Sequence, residues 1–140
     1  MKKIVNKESP KEPLYETIKK ACQNLFYISE TDAEVEFFFG GKIEILTEQT
    51  ILAALGKNVT TEIEETEAQY FFERLTKTKE WNSETQLNNA RGFTNLFKLL
   101  SDDLGELRVF KIGRVKIDIY IVGIDENGML IGVKTKAVET

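Results

Sequence analysis

Arg108-Val109-Phe110-Lys111-Ile112-Gly113-Arg114-Val115-Lys116-Ile117-Asp118-Ile119-Tyr120-Ile121-Val122-Gly123 is the stretch that decides the fold. Apolar side chains recur at every second position along it, the mark of strands with a buried face. Arg108–Ile112 reads as one strand, Gly113-Arg114 as a turn and Val115–Val122 as a second strand. Val115, Ile117, Ile119 and Ile121 line one face of the second strand. Asp125-Glu126-Asn127-Gly128 is a hairpin turn, because Asn-Gly accepts the left-handed backbone that a tight turn demands. Met129 to about Val138 forms the last strand, so the C-terminal third is an antiparallel meander.

Upstream of the meander the period changes. Ala90, Phe93, Leu96, Phe97, Leu100 and Leu104 fall on one face of a long helix that starts at Ser83 or Glu84 and ends at Gly105. Thr66–Leu75 reads as a helix with Tyr70 and Phe71 packed inward, and Thr76–Asn82 as a polar loop carrying Trp81. Thr47-Glu48-Gln49-Thr50 opens a short helix closed by Gly56. Val35, Phe37 and Phe39 alternate as a strand, Gly40-Gly41 reads as a hairpin turn, and Ile43–Leu46 as the returning strand. Asn58–Glu65 has no clear period. Ser9, Pro10 and Glu12 make a capping box for a first helix. Leu14, Ile18, Ala21 and Leu25 give that helix its apolar stripe, and it is expected to end near Tyr27. Residues 1–8 read as a flexible arm, and residues 9–140 as one domain.

Composition narrows the function. A chain of 140 residues, 41% hydrophobic and 30% charged, builds one soluble domain with a real core. Its net charge of −4 and the lack of a basic block do not suit a grip on phosphate backbones. They suit an encounter with a basic protein. No histidine is present, which removes the commonest general base and metal ligand. Cys22 is the only cysteine, so an internal disulfide is impossible. Its apolar neighbours Ile18, Ala21 and Leu25 predict a buried, inert thiol. Neither a membrane-spanning segment nor a signal core is visible, and a cytoplasmic protein is expected. The adjacent Asp102 and Asp103 diverge around a helix and share no site. The expectation is therefore a protein that is not an enzyme. A small hydrolase using Ser or Asp is the reading that the missing histidine opposes.

Arg108–Gly123 with the tail Thr135-Lys136-Ala137-Val138-Glu139-Thr140 resembles the nuclease A inhibitor family. So do Leu25-Phe26-Tyr27-Ile28-Ser29-Glu30, and Phe71-Phe72 with Trp81 downstream. The resemblance runs from Leu14 to Thr140; it is most specific in the C-terminal third and loosest between Leu46 and Thr66. It implies an α+β fold, a three-layer α-β-α sandwich around a mostly antiparallel sheet. Periodicity by itself supports a mixed α and β domain, for which helices packed on an antiparallel sheet are the natural arrangement.

The family blocks a sugar-non-specific, Mg²⁺-dependent nuclease. The resemblance implies that Thr140 enters the nuclease active site and reaches the catalytic Mg²⁺, and that Glu30 contacts that site. The chemistry agrees. A terminal threonine offers two carboxylate oxygens and a hydroxyl, the hard ligands that Mg²⁺ takes. A carboxylate at Glu30 can imitate a phosphate toward a cation of the partner. Trp81 in its polar loop is a candidate interface anchor, against a half-buried core aromatic. Glu139 adds charge near the tip. The implied complex is 1:1, with no cofactor of the chain's own, Mg²⁺ supplied by the nuclease, and no direct contact with nucleic acid or membrane. The alternative is a protein-interaction domain of the same fold with a non-nuclease partner.

Overall fold

The computed structural model describes residues 11–140, with side chains from Leu14 onward. The arm and the Ser9-Pro10 helix start lie outside the described residues. The elements in order are α1 (Lys11–Ala21), β1 (Phe26–Ile28), β2 (Asp32–Glu34), β3 (Glu36–Lys42), α2 (Glu48–Ala54), β4 (Ile63–Glu67), α3 (Ala68–Thr76), α4 (Glu84–Asp103), β5 (Arg108–Ile112), β6 (Lys116–Ile124) and β7 (Met129–Val138). The class is α+β, as expected. Five strands form one antiparallel sheet in the order β3-β7-β6-β5-β4, and β1 and β2 form a separate antiparallel pair.

The meander falls where alternation places it, except that β6 begins at Lys116 and leaves Val115 exposed in the turn. Alternation then sorts the two faces. Ile117, Ile119, Ile121, Ile131 and Val133 meet Ile18 of α1, Phe72 of α3, and Phe93, Leu96 and Leu100 of α4. On the other face Phe110, Tyr120, Val122 and Leu130 meet Ile51 and Leu52 of α2. Ser83 caps α4 in a reciprocal box with Gln86, and Thr47 caps α2 with Thr50.

Three elements differ from the sequence expectation. The first helix stops at Ala21, and Asn24 takes a left-handed backbone (φ 58°) that breaks the run. Leu25 is still buried, so it keeps the apolar spacing without the helix, and Tyr27 lies in β1. Gly40-Gly41 is no hairpin turn. β3 runs through both glycines and pairs with β7, and its register slips between Phe39 and Gly41. The two glycines form a bulge, with Gly41 at φ +86°. Ile43–Leu46 is consequently a connector rather than a strand. Residues before α3 form β4, an edge strand whose Glu64, Glu65 and Glu67 discourage further pairing. In α3, Phe71 and Phe72 are buried while Tyr70 faces out.

Candidate partner-binding site

The end of β7 is held from two sides. On one side β6 pairs with it through Lys116↔Val138. On the other side lies the β1–β2 hairpin. The Thr135 hydroxyl donates to the carbonyl of Glu34 at 2.9 Å. The Val138 N–H donates to Ser29 Oγ at 3.0 Å, and the Glu30 N–H donates to the Val138 carbonyl at 3.3 Å. Beyond the strand, the Glu139 N–H donates to the Val115 carbonyl at 2.9 Å. Hydrogen bonding therefore continues past Val138.

Two of the sequence-predicted site residues meet at this tip. The Thr140 N–H donates to Glu30 Oε2 at 2.8 Å, and the Thr140 hydroxyl donates to the same oxygen at 2.9 Å. The N–H first, and then the hydroxyl, hold the Glu30 carboxyl below the usual glutamate range. Both residues are exposed. As a donor, Thr140 Oγ1 keeps its lone pairs. With a free α-carboxylate the residue would present hard oxygens only, a set that fits Mg²⁺. Among the described residues no three His, Cys, Asp or Glu side chains gather into a cation site.

Glu139 sits beside Thr140 and close to Tyr27. Burial, then the Glu139 carboxylate, pushes the Tyr27 phenol up, while Arg74 acts in the opposite sense. Trp81 is 77% exposed, in the loop before α4. That loop is fastened by the Lys79 N–H donating to Asn82 Oδ1 at 2.6 Å, and Lys79 Nζ lies 5.3 Å from the Trp81 ring centre. Trp81 is thus an open aromatic rather than a core residue. It makes no ring contact or hydrogen bond with Glu30 or Thr140.

Sequence reasoning missed three residues here. Asn89 of α4 accepts from the Phe26 N–H at 3.0 Å and donates to the Phe26 carbonyl at 2.8 Å. Its side-chain amide thereby stands in for a neighbouring strand at the outer edge of β1. Ile28 and Tyr70 are large, apolar and more than half exposed. A helical reading of residues up to Tyr27 hid the outward pleat of Ile28, and an inward reading of Tyr70 hid its exposure.

The family described as nuclease A inhibitor-like protein, NuiA, matches residues 12–140. No curated protein matches the chain.

Proposed function

The chain belongs to the nuclease A inhibitor-like family, which implies a nuclease inhibitor, and we propose that it works by occupying the active site of a sugar-non-specific, Mg²⁺-dependent nuclease. The pair Glu30–Thr140 carries this reading. Two residues 110 positions apart share one oxygen at an exposed, ordered tip. An inhibitor that must reach into a cleft gains from a probe ordered before binding, because less freedom is lost on association.

Within that reading each residue has a task. Thr140, in a chain that ends there, offers carboxylate and hydroxyl oxygens to the Mg²⁺ that the nuclease supplies. Glu30 holds Thr140 with Oε2 and leaves Oε1 for a phosphate-binding cation of the partner. Glu139 adds negative charge to the same tip. Trp81 is the amphipathic anchor at a separate point of the contact. The net charge of −4 favours approach to a groove built for polyanions. Nucleic acid is then excluded by competition in a 1:1 complex, in the cytoplasm, without a cofactor of the inhibitor's own.

The test is a competition titration of such a nuclease with the chain ending at Thr140 and with the chain extended by a few residues. Inhibition that weakens sharply on extension is the expected result. Equal inhibition by both forms would overturn the role of the tip.

A further inference from the structure

Beside the tip, β1, β4, β5 and α3 enclose a hollow of about 350 Å³. Its inner wall is aromatic: the Tyr27 and Phe71 rings are stacked, 5.9 Å between centres and 1° between planes. Its mouth carries Ile28 and Tyr70, 56% and 54% exposed. Two cations lie over the rings. The Arg74 guanidinium is 5.9 Å from the centre of Tyr70, and Lys111 Nζ is 5.8 Å from the centre of Phe71.

Neither Arg74 nor Lys111 is closed into an ion pair among the described residues. Glu64 stands across the β4–β5 ladder from Lys111 and lines the hollow, and still makes no such pair. The hollow adjoins the tip, since Tyr27 and Ile28 line it and the next two residues, Ser29 and Glu30, hydrogen-bond Val138 and Thr140.

We infer that this hollow is a second part of the nuclease contact, receiving an acidic side chain of the nuclease against Arg74 while an apolar neighbour of that side chain covers Ile28. The inference rests on the reading of the tip given above. A site that holds Mg²⁺ is built from oxygen ligands, carboxylates among them, so acidic groups border the place that Thr140 enters. The guanidinium fork matches a carboxylate in shape. Covering the hollow removes water from around the pair and strengthens it. Arginine with exposed aromatic side chains is also the composition that concentrates at interface centres.

The sign of one substitution separates this from general charge steering. Arg74→Glu makes the inhibitor more acidic. If only long-range attraction to a basic groove operated, the variant would bind as well or better. If Arg74 receives a carboxylate, it binds worse. The full chain and its variants are titrated against a Mg²⁺-dependent sugar-non-specific nuclease, with thermal melts to confirm folding. Arg74→Glu and Ile28→Asp are each expected to weaken inhibition by roughly tenfold or more, with Arg74→Lys retaining part of it. The controls Lys57→Glu and Val59→Asp, at a half-buried and an exposed position outside the hollow, are expected to stay within about twofold or to tighten. Folded Arg74→Glu and Ile28→Asp variants that inhibit undiminished would overturn the inference. If they do so while extension past Thr140 still abolishes inhibition, the tip stands and the hollow falls. If the unaltered chain does not inhibit, both fall.

Discussion

Oε2 of Glu30 accepts both the N–H and the hydroxyl of Thr140, at 2.8 and 2.9 Å. One side chain near the beginning of the fold thereby sets the direction in which its last residue points. Replacing Glu30 by alanine is expected to leave the sheet intact and to free the tip. The backbone of Thr140 should lose order in ¹⁵N relaxation, while Val138, bonded to Ser29 and Glu30 main-chain and hydroxyl groups, keeps it. Inhibition should fall by roughly tenfold, the scale of ordering a side chain anew on binding. Unchanged relaxation at Thr140 would show that Glu30 does not hold it.

The same contact sets a pH dependence. The folded Glu30 carboxyl lies below its unfolded value, through the Thr140 N–H first and the hydroxyl second. The contribution of the contact is complete above the unfolded glutamate range and is lost as pH falls through the lowered folded value. A carboxyl ¹³C titration is expected to find Glu30 below free glutamate. Thr140→Gly removes the hydroxyl and keeps the N–H, so it should return the value only part of the way. A titration like that of free glutamate in the unaltered chain would contradict the geometry.

Asn89 seals the outer edge of β1 with two hydrogen bonds to Phe26. Asn89→Ala leaves both main-chain groups without that partner. A loss of about 1–2 kcal/mol in urea unfolding is expected, with faster amide exchange at Phe26. No change in either would show that water serves the edge equally well.

At Gly132 the strands β6 and β7 approach too closely for a side chain. A Cβ there would lie 1.9 Å from the Ile121 carbonyl oxygen and 2.8 Å from Val122 Cα. Both obstacles are main chain and cannot turn aside. Gly132→Ala is expected to cost about 3 kcal/mol or more, visible as a large fall in melting temperature. A near-neutral result would mean that the ladder shifts freely there.

Burial, and then the Glu36 carboxylate, pushes the Cys22 thiol up to about 11. The thiolate is the reactive form, so the native protein is expected to resist thiol reagents at pH 8 and to react once unfolded. Prompt labelling of the folded protein would place Cys22 outside the core.

The readable parts of the fold are those whose signal is local and long. Ile117, Ile119 and Ile121 announce β6 by alternation, and the apolar face from Ala90 to Leu104 announces α4. β1 and β2 are three residues each, too short for a period to show. Gly40-Gly41 has the composition of a turn, and only the pairing of β3 with β7 makes it a bulge. β4 presents an almost wholly polar edge, which hides a strand. Of the candidate site, Thr140, Glu30 and Trp81 are named by the resemblance, and Glu139 by its charge beside the tip. The bond between Glu30 and Thr140 is not, because it exists only after the hairpin has docked on β7.

The docking of that hairpin has a mechanical consequence. Near its end β7 is laced to β6 along one border and to Ser29, Glu30 and Glu34 along the other. A pull on Thr140 loads both borders together, parallel to the strand, and no single row of bonds can be peeled open from a free edge. Tension applied at Thr140 is therefore carried into the sheet through β6 and the hairpin together before β7 can come loose.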